Sequence, residues 1–195
     1  NLYLMNNKFV WTTGGNQNYL SMIEVLAKSL LKYSEYKLIV YGFNCDSTID
    51  LPNVTNKRIN YNPKPTINST HEPDLFHKDY SIYFAKYLAN LDSLEENYNN
   101  FAWIDGDAFV TENIDNSLQY LSSLKDYPLF AQYFHKDINQ WRHHKGIRLE
   151  GNYGGEIAAI KNIKRNPNQK LLAANFYFYN RDSKPFFEKC LEWNK

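Results

Sequence analysis

The stretch KFVWTTGGNQNYLSMIEVLAKSLLKYSEYKLIVYGF, residues 8–43, decides the fold. It opens on a short apolar, β-branched and aromatic run over 8–13, closed by Gly14 and Gly15, which predicts a buried strand followed by a turn. Tyr19, Met22, Ile23, Leu26, Ala27, Leu30 and Leu31 then recur at the i, i+3, i+4, i+7 spacing of one helix face, and Asn16 or Asn18 can cap its start. A second apolar run over 36–43 reads as another buried strand. Strand, helix and strand in that order imply a crossover, so the two strands are expected to lie parallel in a sheet covered by helices.

Downstream, 45–56 is turn-rich and 57–61 reads as a third strand. The three prolines within 62–74 predict an irregular loop. A second amphipathic helix follows, with Tyr80, Tyr83, Phe84, Tyr87, Leu88 and Leu91 on one face and Asp79 as its N-cap. Strands are expected over 101–104, 129–134, 154–160 and 171–179, and helices over 114–124 and 186–193. Residues 135–152 are polar and basic without a clear period. No repeat or domain boundary interrupts the pattern, so residues 1–195 are expected to form one α/β domain with a mixed, mostly parallel sheet.

Bulk properties remove several function classes. Hydrophobic residues make up 43% of the chain and aromatics 16%, enough for a globular core. A formal net charge of +1 gives no electrostatic case for nucleic acid or an anionic membrane. No apolar run approaches the ~20 residues that span a bilayer, and no signal peptide is evident. Cys45 and Cys190 have no metal-ligand spacing, and two free thiols in the cytoplasm are expected. A chain beginning at Asn1 is expected to be a processed or excised piece, in keeping with membership of a larger multidomain protein.

The chemistry concentrates in FAWIDGDAFV, residues 101–110. Asp105 and Asp107, two carboxylates at i and i+2 just past a buried strand, can converge on one hard divalent cation such as Mn²⁺ or Mg²⁺. Asp-Gly-Asp is also good turn chemistry, with Gly106 supplying positive φ. The apolar residues on both sides favour the metal site, because a solvated turn rarely has buried shoulders. An EF-hand is excluded by the misplaced acidic and glycine positions. Thr12, Thr13, Gly14 and Gly15 end the first strand without a Gly-Lys-Ser/Thr or a G-x-G-x-x-G pattern, so neither a P-loop nor a dinucleotide fingerprint is present.

Other candidates carry two readings each. Lys86 either reaches a phosphate or is a solvated lysine. Glu156 is either a general base that deprotonates an acceptor hydroxyl or a surface residue at a strand start. Trp141, Arg142 and His144 form either an acceptor surface or a basic solvated loop, and adjacent His143 and His144 point apart in extended chain.

Four segments together resemble the GT-A superfamily of glycosyltransferases, most closely family 8 and similar bacterial or viral enzymes. They are the strand Phe9-Val10-Trp11-Thr12-Thr13, the helix over 81–88 with Lys86 at the place of a basic residue facing the diphosphate, the WIDGDAFV segment, and the run over 173–180 that echoes an Asn-Ala-Gly strand beside the sugars. The resemblance implies a nucleotide-sugar donor, UDP- or GDP-linked, and a carbohydrate acceptor. It implies nucleotide-sugar contacts from Thr12, Thr13, Gly14, Lys86, Asp105, Gly106 and Asp107, metal ligation by Asp105 and Asp107, and a catalytic-site place for Asn175. Two features depart from family 8. No histidine follows His144 to act as third metal ligand, and Asn175 is followed by Phe176. Either water and diphosphate complete the metal shell, or a C-terminal portion supplies the ligand. The alternatives are a sugar-nucleotide nucleotidyltransferase, against which the lack of a basic Gly-rich loop counts, and a non-catalytic carbohydrate-binding domain.

Overall fold

In a computed structural model, which describes residues 9–62, 82–124, 128–133 and 172–192, the opening stretch forms the expected parallel unit. Strands β1 (Phe9–Gly15) and β2 (Lys37–Phe43) pair in parallel from Val10↔Lys37 to Gly15↔Gly42, with helix α1 (Leu20–Tyr33) as the crossover. The two glycines do not end β1, as their sequence predicted. The strand runs through both, because its neighbours come too close for a side chain: a Cβ on Gly14 would stand 2.8 Å from the Tyr41 carbonyl oxygen, and one on Gly15 2.7 Å from Tyr19 Cβ. Asn16 then caps a 3₁₀ turn (Gln17–Tyr19), its side chain accepting from the Asn18 amide. In α1 the buried stripe is narrower than its periodicity predicted. Ile23, Leu26, Ala27 and Leu30 are buried, whereas Tyr19, Met22 and Leu31 are exposed.

Among the described residues the sheet has six strands in the order β3-β2-β1-β4-β6-β5, with β3 at Val54–Ile59, β4 at Asn100–Ile104, β5 at Leu129–Tyr133 and β6 at Leu172–Asn180. β3, β2, β1 and β4 are mutually parallel, and β6 runs antiparallel to β4. This is the mixed, mostly parallel sheet expected. β3 starts earlier than its sequence suggested, since it lies at a sheet edge and none of its side chains is fully buried. The strand expected over 154–160, the loop beyond 62, and Asp79 and Tyr80 lie outside the described residues.

The sheet separates two unlike layers. On one face α1 and α3 (Asp115–Ser123) close an apolar core in which Ile23, Leu26, Leu30 and Leu118 meet Trp11, Leu38, Val40, Ala102, Ile104 and Phe178. On the other lie α2 (Ile82–Leu94) and α4 (Lys184–Glu192). The face of α2 that is most deeply buried is not the aromatic one its sequence suggested. Ala85, Ala89, Asn90 and Ser93 are buried, while Phe84, Tyr87, Leu88 and Leu91 are only half-buried. Small residues let the helix lie close to the sheet, and Tyr87 instead stacks on Phe187 of α4 at 6.2 Å between ring centroids.

By its internal contacts the chain divides into two units. The first, residues 1–64, 79–130 and 175–195, holds the four described helices, β1 to β4 and most of β6. The second, 65–78 and 131–174, includes among described residues only the end of β5 and the start of β6. Cys45 and Cys190 are free thiols. No described helix is long and apolar enough to cross a membrane.

One polar clamp ties the apolar layer together. Asp115, 6% exposed, accepts from Ser34 Oγ at 2.7 Å and from the Glu35 amide at 2.9 Å, while Ser34 Oγ in turn accepts from Trp11 Nε1 at 2.9 Å. The end of α1, the start of α3 and β1 therefore meet at one carboxylate. Asp115→Ala strips both donors of their acceptor and is expected to cost about 2–3 kcal/mol, lowering Tm by roughly 2–4 °C per kcal/mol. Thermal unfolding checks this, and a change within about 0.5 kcal/mol, as at an ordinary surface site, would contradict it.

Candidate functional site

β4 delivers its acidic turn by simple alternation. Phe101 and Trp103 face α2, whereas Ala102 and Ile104 join the apolar core under α1. Asp105 is the next residue on the α2 side. Its amide donates to the Asn175 carbonyl at 2.8 Å, which carries the β4–β6 pairing one residue past the strand, and its own carbonyl accepts from the Ala108 amide at 3.0 Å to close the turn. Gly106 points back to α1, where an added Cβ would sit 2.4 Å from Ile23 Cγ1. It does not adopt the left-handed conformation that turn chemistry suggested. Glycine is required here by the close approach of α1. Asp107 is exposed at the tip.

The Asp105 carboxylate is held from two sides. Oδ1 accepts from Trp103 Nε1 at 2.7 Å and pairs with Lys86 Nζ at 2.7 Å. The Lys86 side chain is only 11% exposed, which rules out the solvated-lysine reading. Its ammonium lies 5.1 Å from the Trp103 ring centroid and 5.7 Å from that of Tyr177. The two rings are direct cross-strand partners, stacked at 6.3 Å and 11°. Burial lowers the Lys86 pKa, and the Asp105 carboxylate is the main opposing influence, with Asp107 adding to it.

Beneath this lies a buried hydroxyl network that sequence reasoning missed. Asn90 Nδ2 donates to the Tyr177 hydroxyl, and the Tyr179 hydroxyl shares hydrogen bonds with Ser93 at 2.8 Å and Thr12 at 3.0 Å. Burial raises the pKa of both tyrosines, so the hydroxyls keep their protons. The available signals were the small and polar residues at Ala85, Ala89 and Ser93 and the strict Phe-Tyr-Phe-Tyr alternation of 176–179.

The structure thus gathers Lys86, Asp105, Gly106, Asp107 and Asn175 at the carboxyl end of β4. Gly14 is close by, its carbonyl oxygen 3.8 Å from where a Cβ on Gly106 would stand. Thr12 is fully buried, its hydroxyl donating to the Ala102 carbonyl at 3.2 Å, so it supports the strand from below. Thr13 is also fully buried, with no hydrogen-bond partner for Oγ1. Glu156, Trp141, Arg142, His143 and His144 lie outside the described residues.

Asp105 and Asp107 offer hard oxygen donors only. Among the described residues no third histidine, cysteine or carboxylate joins them. That set fits Mg²⁺ or Mn²⁺ held by one or two carboxylates, with water and phosphate oxygens filling the shell.

No protein-family model matches the chain, and no curated protein matches its sequence. Solved structures do match. The galactosyltransferase LgtC, in complex with donor and acceptor sugar analogues, aligns with 94% of this chain at a TM-score of 0.56 and 15% identity. An active-site mutant of LgtC gives 94% coverage, a TM-score of 0.55 and 17% identity. The fold is of the GT-A type. The apo form of the glycosyltransferase GlyE of Streptococcus pneumoniae aligns with 96% of the chain at a TM-score of 0.52 and 15% identity. The chain spans 63%, 62% and 38% of those three structures, less than two thirds of each. At these identities the likeness is one of fold.

Overpacking at the turn is testable. Gly106→Ala is expected to cost about 1–3 kcal/mol, because fully buried Ile23 cannot yield. In the background of Ile23→Ala, which removes the clashing Cγ1, the same change should cost clearly less. Additive losses in a double-mutant cycle read by denaturant unfolding would show that Gly106 is there for another reason.

Proposed function

We propose that this chain is the catalytic domain of a metal-dependent glycosyltransferase, moving a sugar from a UDP- or GDP-sugar to a hydroxyl of a glycan or glycoconjugate. The observation that carries this reading is the acidic turn at the carboxyl end of β4, with a buried lysine beside it, on a GT-A-type fold. Open α/β sheets bind ligands at the carboxyl ends of their strands, where the strand order switches direction. Here β1 leaves β4 on one side towards β2 and β3, and β6 leaves it on the other.

The residues divide the work by position. Asp105 and Asp107 hold Mn²⁺ or Mg²⁺, which when bound neutralises charge developing on the diphosphate leaving group. Lys86 adds a second positive charge on the α2 side of the same turn. Asn175, exposed and joined to Asp105 through its backbone, presents its amide towards the donor sugar. Thr13 and Gly14, with Thr12 beneath them, form the floor of the nucleoside site at the end of β1. Glu156 serves as the general base for the acceptor hydroxyl if the reaction inverts configuration.

Thermal stability should rise on adding a UDP- or GDP-sugar with Mn²⁺, by about 2.7 kcal/mol at a ligand concentration one hundred times Kd. The rise should vanish with chelator or in Asp107→Ala. Slow hydrolysis of one donor in the same panel would name the sugar and exclude a binding-only module. No shift with any nucleotide sugar, metal present, would sink the transferase reading.

A further inference from the structure

The indole N–H of Trp103 reaches the metal turn itself, and its role rests on the metal-site reading above. Nε1 donates to Asp105 Oδ1 at 2.7 Å, from two residues earlier on the same side of β4. The Asp105 side chain is 34% exposed, so packing alone does not fix where its oxygens point. Lys86 Nζ meets the same oxygen at 2.7 Å, but an ammonium on a four-carbon stem has rotatable donors and can follow a carboxylate as it turns. An indole has one N–H, in the plane of its ring, so its direction is set once the ring is fixed.

That ring is fixed. Trp103 is buried and stacks on Tyr177, its cross-strand partner on β6. The Tyr177 hydroxyl accepts from Asn90 Nδ2, and Asn90 is fully buried on α2, one turn past Lys86. A chain of contacts therefore runs from α2 through Tyr177 to Trp103 and ends on the Asp105 carboxylate. Packing alone does not call for the N–H. Two residues earlier on the same strand, Phe101 stacks on its own cross-strand partner Tyr179 at 5.2 Å and 18°, with a plain phenyl ring. What tryptophan adds to the second pair is the donor that meets Asp105.

We propose that Trp103 is a positioning residue for the metal site: its indole N–H holds the Asp105 carboxylate in the orientation that takes the divalent cation, and Tyr177 and Asn90 hold the indole. The hydrogen bond is charge-assisted and therefore among the stronger kinds. The cation meets a carboxylate that is already ordered, with less side-chain freedom left to lose on binding.

The test is Mn²⁺ binding to the full chain in the presence of UDP or GDP, with free Mn²⁺ read by electron paramagnetic resonance. Trp103→Phe keeps a ring against Tyr177 and removes the N–H. It should bind Mn²⁺ about 10- to 100-fold more weakly than wild type. A role in packing alone would lower Tm and leave the Mn²⁺ affinity of the folded protein unchanged. Phe101→Leu, a packing change at the matching pair, should do just that. Circular dichroism checks folding. If Trp103→Phe does not fold, 3-benzothienylalanine at position 103, which keeps the bicyclic ring with sulfur in place of N–H, takes its place and should show the same loss. Unchanged Mn²⁺ affinity in the protein lacking the N–H, or an equal loss in Phe101→Leu, overturns the proposal and leaves the metal site standing. Failure of wild type and variants alike to bind Mn²⁺ removes the metal-site reading and the proposal with it.

Discussion

The carboxylate of Asp105, gripped by Lys86 from α2 and by Trp103 from its own strand, is the contact on which the rest of this molecule depends. It fixes the end of β4 against the helix layer. It also needs everything around it: the Trp103–Tyr177 stack that shields the ammonium, the Asn90 amide that holds the Tyr177 hydroxyl, and the Asn175 carbonyl that extends the antiparallel pairing to Asp105. An exposed pair of this kind is worth little. The Lys86 ammonium, over the Trp103 and Tyr177 rings, is partly desolvated, and losing the Asp105 carboxylate leaves its charge less well compensated.

The two faces of the sheet solve different problems. Under α1 and α3 the packing is apolar, and one clamp at Asp115 joins the elements. Under α2 the layer is aromatic and hydroxyl-rich, with Thr12, Ser93, Tyr179, Asn90 and Tyr177 linked across β1, β6 and α2. The acidic turn sits where these faces meet. Asp105 turns to the polar layer, Gly106 to the apolar one, and Asp107 to solvent. The antiparallel arrival of β6 is what adds Asn175. A sixth strand running parallel to β4 would leave the residues at its start far from this end.

Much of the architecture was legible because burial leaves a period. The strands over 8–13, 36–43, 101–104 and 171–179 and the helix between the first two are continuous or regularly spaced apolar runs, and the structure places elements on them with ends differing by a residue or two. The strand ends at Gly14 and Gly15 were misjudged because glycine marks both turns and close approach, and only the neighbours, Tyr41 and Tyr19, decide between them. β3 was misplaced because edge strands bury little. The face of α2 was misread for a more instructive reason. Periodicity finds large apolar residues, whereas this helix turns alanine, serine and asparagine to the sheet. The position of the acidic turn was readable from its apolar flanks. The Lys86–Asp105 contact was not, since it spans two elements whose rotation about each other no local pattern encodes.

The central claim is that Asp105 and Asp107 seat a divalent cation against a nucleoside diphosphate at the carboxyl end of β4. Anomalous diffraction at the manganese edge, from crystals grown with Mn²⁺ and UDP or GDP, tests it most directly. The account predicts one strong manganese peak within coordination distance of the Asp107 carboxylate and of the diphosphate oxygens. A manganese peak elsewhere, or a nucleotide bound away from β4 with Asp107 unliganded, would contradict it.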